Sequence, residues 1–362
     1  VAMAVLRLLE QGQLSLNDRV VDLLPEFDAA PRRPMTVRHL LTHTSGLPDM
    51  LPNNRKLRQD NRPLSAFFEG TCAVTLDFPP GHGVQYQSMG FVLLAEIIHR
   101  ISGVSCRQFV HEQILAPLQM HDSALGADES WFEGPEPKID HLVEVRVPED
   151  QEQGEGWNWN SRYWRQFGAP WGGLLASVND IARLCHSLLG GPSPLSPATI
   201  AQMTTNQLPA LAGVSEVDRR TRGWGLGWRL NWPTHPATFG DLVGVDVVGH
   251  WGATGTLCWA DRGSGTGCVI LTSQPLERGR NLLIAAAEGG ATGAVGFAGI
   301  PFNLALSTFC YYRAVQSIAL YYGFDTKNDA EELVIAGEVL TQAMDPGHGS
   351  GEMGSVIGKI ML

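Results

Sequence analysis

Residues 76 to 103 read LDFPPGHGVQYQSMGFVLLAEIIHRISG, and the fold turns on how this stretch changes character along its length. Leu76 to Phe78 are extended in type. Pro79 and Pro80 then fix φ and forbid helix, and Gly81 and Gly83 permit φ > 0, so the chain must bend sharply there. After the bend Phe91, Leu94, Ala95 and Ile98 recur at helical spacing with Glu96, His99 and Arg100 on the other side. This predicts an amphipathic helix that opens near Ser88 and ends at Gly103. Tyr86 and Ser88 therefore sit where a rigid turn meets a helix start, a place where polar groups are often presented to a cleft. The bland alternative makes Tyr86 a buried aromatic whose hydroxyl finds a backbone partner, and Ser88 an N-cap.

Upstream, Val1, Val5, Leu6, Leu8 and Leu9 repeat helically as far as Gly12, so the sequence starts in mid-helix with no signal peptide in view. A cytoplasmic or membrane-associated location is expected ahead of secretion. Asn17 or Asp18, an apolar cluster and Pro25 predict a short helix or turn. Thr36 caps a helix carrying Val37, Leu40 and Leu41, and HTSGL (His43 to Leu47) follows, with Gly46 as its stop. One histidine with no partner at metal spacing reads as structural, so His43 is not taken as a ligand or base.

The 362 residues, 44% hydrophobic and 17% charged, suffice for a large core and two domains. A net charge of −11 and the lack of any basic run disfavour nucleic acid as a partner. The six cysteines include no C-x-x-C pair, which signals neither zinc nor a disulfide framework; reduced, mostly buried thiols are the default.

Residues 104 to 171 read as loop-rich and hold Trp131, Trp157, Trp159, Trp164 and Trp171. Acidic residues, Pro and Gly dominate between Asp128 and Gly156, which is either a lid that shapes a pocket or a solvated insertion with tryptophans packed beneath it. Ser177 or Asn179 then caps a helix bearing Ile181, Leu184, Cys185 and Leu188. From Gly223 the period becomes 2. GWGLGWRLN, DVVGHWG, TLCWAD and GCVILTSQ read as strands, and ADRGSGTG is the hairpin turn between the last two. Helices followed by consecutive antiparallel strands make an α+β plan.

Three motifs in one order carry a resemblance: FPPG…YQSMGFVLLAEII, the TVRHLLTHTSGLPD run before it, and VVGHWGATGT after it. Together they resemble the serine β-lactamase-related family, which includes class C β-lactamases, penicillin-binding-protein-like carboxypeptidases and family VIII carboxylesterases. The resemblance covers residues 1 to 281. It implies a β-lactamase/transpeptidase-like fold, an antiparallel sheet flanked by helices plus a helical subdomain, incomplete at its N-terminus. It further implies a serine acyl hydrolase, an esterase or a D-aminopeptidase/carboxypeptidase-like enzyme, that works through an acyl-enzyme on a small-molecule ester or amide, with no metal or organic cofactor. In that family Tyr86 is the proton shuttle and Ser88 bonds to it or to a lysine. His250 lines the opposite wall and orients the substrate, Gly252 borders the groove, and the Ala253 N–H is an oxyanion donor. Tyr86 and His250 are thus expected on one shared groove. His-x-Gly in place of Lys-Thr-Gly leans towards esterase or amidase chemistry. The family's nucleophile motif, Ser-x-x-Lys, occurs nowhere in this sequence and is expected just before Val1. The chain of 362 residues is therefore expected to be inactive.

The C-terminal stretch differs. Residues 289 to 312 carry no charge, yet Gly289, Gly290, Gly293, Gly296, Gly299 and Pro301 make a poor continuous helix. Residues 302 to 320 trace a mostly apolar helix that ends at Gly323. Burial in a helical domain and membrane contact through 289 to 322 both fit this pattern. Gly289 to Asp325 resembles part of the EcsC family, which implies a second, helical segment over 282 to 362. A natural fusion, a mis-assembled gene and a fragment all account for two partial families in one chain. The reading from another functional class is a non-catalytic scaffold or binding module whose apolar tail meets a membrane or partner; the sequence specifies no oligomeric state.

Overall fold

The computed structural model describes residues 1–232, 238–240 and 243–275, all within one compact unit that runs from Val1 to Gly279. The expected tail segment 282 to 362, its helix and its membrane contact lie outside the described residues. The helical layer contains α1 (Ala2–Glu10), α2 (Val20–Leu23), α3 (Val37–Leu41), α4 (Asn54–Gln59), α5 (Leu64–Ala73), α6 (Met89–Ser102) and α7 (Cys106–Val110). A two-stranded ribbon, β1 (Ala124–Leu125) with β2 (Leu174–Leu175), flanks α8 (Arg162–Phe167). Helices α9 (Val178–Leu188), α10 (Pro197–Met203) and α11 (Glu216–Thr221) follow. The sheet is β3 (Arg229–Leu230), β4 (Val248–Gly252), β5 (Thr256–Asp261) and β6 (Thr266–Leu271), antiparallel in that order. This is the expected α+β plan.

Helix α6 is the central strut. It begins at Met89 and stops at Gly103, whose φ of 75° lets its N–H reach back to the His99 carbonyl at 2.9 Å. Its buried face is wider than the apolar spacing predicts, because Val92, Leu93 and Ile97 are buried as well. The cause is that α1, α3, α5 and α7 all pack against it. Arg100, on the outer side, bonds Glu96 and Glu26 at 2.8 to 2.9 Å.

Two expected elements are revised and one open alternative is decided. Residues 104 to 171 are not loop from their start: α7 continues through a π turn, His111–Leu115, that buries Ile114 and Leu115. The nine-residue strand expected over 223 to 231 is a tight turn. Gly225 N–H bonds the Trp228 carbonyl at 2.8 Å, Gly227 has φ 79°, and only Arg229–Leu230 joins the sheet. Ser177, not Asn179, caps α9, accepting from the Asp180 N–H. Asp180 is fully buried and accepts from the Asp122 N–H, the Ser123 hydroxyl and Arg183, each at 2.8 to 2.9 Å, which fixes α9 to the approach of β1. Register pairs Gly252 with Thr256, His250 with Cys258, Thr256 with Leu271 and Cys258 with Val269, so these residues share one sheet face. Helix α9 lies against β5 and β6.

Candidate active site

The Pro-Gly bend and the HTSGL segment form a single object. Asp77 N–H bonds the Gly46 carbonyl and Gly81 N–H bonds the Thr44 carbonyl, both at 2.7 Å. Gly46 has φ 80°, and a Cβ there would fall 1.9 Å from the Phe78 carbonyl oxygen, so only glycine fits. Gly81 is also left-handed, at φ 81°.

This scaffold delivers Tyr86. The residues on either side of it are both held by His43: Gln85 N–H donates to the His43 carbonyl at 3.0 Å, and Gln87 N–H donates to His43 Nδ1 at 3.1 Å. The two rings lie 4.8 Å apart. His43 sits in left-handed backbone at φ 56° and is 1% exposed. Because Nδ1 accepts, the proton is on Nε2, which is buried and has no hydrogen-bond partner among the described residues. The rings of Trp224, 4.1 Å away, and Phe91, 5.6 Å away, enclose it. Burial, and secondarily the nearby His250, push the His43 pKa well below the ordinary histidine value.

The opposite wall is β4. The His250 ring lies 5.7 Å from Tyr86 and 6.0 Å from Trp224, so the two residues expected on one groove do face each other. His250 Nδ1 is 2.7 Å from the Trp251 carbonyl, which fixes the proton on Nδ1 and leaves a lone pair on Nε2. Burial lowers its pKa, partly offset by the Trp251 carbonyl. Neutral His250 is therefore an acceptor at Nε2. Donation to a substrate carbonyl from that atom would require the imidazolium that burial disfavours.

Tyr86 retains 40% of its surface exposed. Desolvation, followed by the negative charge of Asp49, pushes its phenol up to about 12, against a smaller lowering by Ser88. Ser88 is buried and holds the N-cap position of α6, but its side chain caps no helix N–H. Its backbone is already helical, and its hydroxyl donates to Asp49 Oδ1 at 2.6 Å while its N–H reaches the same oxygen at 3.1 Å. Gly252 ends β4 opposite Thr256, where a Cβ would meet the threonine hydroxyl at 2.1 Å. Ala253 is exposed in the turn that joins β4 to β5, closed by Gly255 N–H to the Gly252 carbonyl at 3.0 Å.

Sequence reasoning missed Trp224, Asp49 and the part played by His43. The signal for His43 was present but remote, since its partners lie more than forty residues away.

A cleft of about 1070 Å³ opens beside this wall. Trp131, Trp159 and Trp164 line it from the lid side, and Thr254, Thr256 and Leu271 from the sheet; Tyr86 and His250 are not among its lining residues.

Comparison with known proteins places these features in a lineage. A family model described as Beta-lactamase matches residues 1–291, and one described as EcsC protein family matches residues 277–353. The chain is 29% identical over 285 residues to Penicillin-binding protein 4 of Amycolatopsis lactamdurans, covering 75% of this chain and 69% of that protein. It is also 29% identical over 302 residues to Esterase EstB of Burkholderia gladioli, covering 76% and 75%. Among solved structures, a family VIII carboxylesterase superposes with a TM-score of 0.60 at 23% identity, covering 79% of each chain, which establishes likeness of fold.

Proposed function

The chain belongs to the Beta-lactamase family, which is of serine-hydrolase type, and from that premise we propose that residues 1 to 281 supply most of an acyl-transfer site for a small-molecule ester or amide. Tyr86 is the proton shuttle, Ser88 orients it, His250 faces it across the groove, and the N–H of Ala253 with Gly252 borders the oxyanion position. The observation that carries this reading is the 5.7 Å between the Tyr86 and His250 rings, brought together from distant parts of the chain. The acceptor at His250 Nε2 suits it to hold a hydroxyl, an amide N–H or the deacylating water. The relative named Esterase EstB supports an esterase in preference to a β-lactamase.

A phenol raised to about 12 is not a base near neutrality; a cation beside it must first stabilise the phenolate. The sequence contains no Ser-x-x-Lys. Our reading is that this pair, nucleophile and cation together, is encoded ahead of Val1, and that the 362-residue chain hydrolyses no ester. The test is a short-chain p-nitrophenyl ester assay of this chain and of a version extended by its upstream coding sequence. Turnover is expected from the extended protein alone, and Tyr86→Phe in it is expected to lower kcat at least about 100-fold. Turnover by the bare chain would overturn the proposal. Failure of the extended protein to label with a fluorophosphonate would favour a binding module, the reading that the unassisted Tyr86 phenol supports. We place the junction with the EcsC-matched segment between residues 281 and 282.

A further inference from the structure

The groups at the cleft that could bind a ligand are unequally committed. Lys138 Nζ bonds the His121 carbonyl at 2.7 Å, pairs with Asp122 at 3.1 Å and sits 4.6 Å over the Trp131 ring. Asn160 exchanges two bonds with the backbone of Val145, at 2.7 and 2.9 Å. Arg165 also lines the cleft, and among the described residues its guanidinium makes no hydrogen bond and no ion pair. It is partly buried, and among the described residues Glu144 is the opposite charge that acts on it. An Arg withdrawn from water without a partner loses hydration that a carboxylate fork would restore.

The remaining lining is apolar and aromatic. Trp131, Trp159 and Trp164 face Leu271 and the methyl-bearing Thr256. Leu271 and Thr256 pair with each other, and Thr256 pairs with Gly252, so they occupy the sheet face that bears His250. The cleft thus begins where the proposed acyl-transfer groove ends. Its volume of about 1070 Å³ holds a drug-sized group.

We propose that this cleft is a specificity pocket for a ligand with a bulky apolar or aromatic body and a carboxylate, the carboxylate being read by Arg165. Calling that ligand a substrate rests on the hydrolase reading; the binding itself does not. The experiment is calorimetric titration of the 362-residue chain with 4-phenylbutyrate and, separately, with the uncharged isostere 4-phenylbutyramide. The carboxylate should bind at least about tenfold more tightly, the size of one charge-assisted contact. Arg165→Gln should abolish that preference while leaving affinity for the amide in place. Glu144→Gln, at an exposed position, should tighten carboxylate binding by about twofold by removing a competing charge. Equal affinity for the two probes, absence of binding by either, or a preference unchanged in Arg165→Gln would each overturn the inference. If the carboxylate preference holds but the extended protein is inactive, only the hydrolase reading falls. An active esterase without the preference leaves that reading standing and removes this one.

Discussion

Two regions beside the sheet, the Tyr86 wall of the groove and the lid of the neighbouring cleft, are built by different means. The Tyr86 wall is fixed by backbone: left-handed residues at His43, Gly46 and Gly81, and main-chain bonds across two segments some forty residues apart. The lid over residues 129 to 167 leans more on side chains, beside main-chain bonds from the Arg146 N–H to the Ser273 carbonyl and from the Ala127 N–H to the Arg165 carbonyl, both at 2.7 Å. Arg58 is sandwiched between Trp164, 4.3 Å from its ring, and Trp157, at 5.1 Å, and bonds Gln151 and the Trp157 carbonyl. A backbone-built wall holds one geometry because its atoms have no rotamers to exchange, whereas a side-chain-built lid can be re-cut by substitution at little cost to the fold. Chemistry that tolerates little displacement and selectivity that must vary fall on the appropriate sides.

The contrast breaks most sharply at Gly46. Gly46→Ala sets a methyl against the Phe78 carbonyl in left-handed backbone, and a loss on the order of 3 kcal/mol in unfolding free energy is expected by urea titration. A cost below about 0.5 kcal/mol would mean that the wall is as pliable as the lid. Next in size is a pH effect. His43 stays neutral when folded, whereas the unfolded residue takes up a proton near 6.5. Its contribution is complete above that value and declines as pH falls below it, by up to about 1.4 kcal/mol per pH unit. His43→Gln should flatten the dependence of the urea midpoint between pH 7 and 5; an unaltered slope would show that His43 does not stay neutral. The smallest effect belongs to the lid. Arg58→Lys keeps the charge but loses the planar stack, so a global cost of about 1 kcal/mol or less is expected, together with faster proteolysis between residues 128 and 160. Near-UV circular dichroism from the Trp224 cluster should hold steady; a change there would mean that lid and wall are one unit.

Local chemistry made much of this legible in advance. The bend at Pro79 to Gly83, the helix start near Ser88 and its stop at Gly103, and strand β5 all follow from rules that act within a few residues. Where the reading failed, a longer-range cause won. In GWGLGW the alternation mimics a strand, but Gly225 lies against the Met203 carbonyl, where a Cβ would sit at 2.1 Å, and Gly227 turns the chain back. Trp224 is thereby carried into the site. His43 looked isolated because its partners sit at Gln85, Tyr86 and Gln87. The helix over 106 to 115 hid because Phe109 and Val110 are followed by Ile114 and Leu115 at a spacing of five, which no 3.6-residue period predicts.

That widened turn also sets a rule of inheritance. A π turn is a helix carrying one surplus residue, so a single-residue deletion between His111 and Gln113 would restore ordinary winding and bring Phe109 with Ile114, and Val110 with Leu115, to a spacing of four. An α-helix places that spacing on one face, so both would stay in the core. Homologues that lack the surplus residue can keep the same inner side chains, and the two forms are told apart by a one-letter gap rather than by any change of identity.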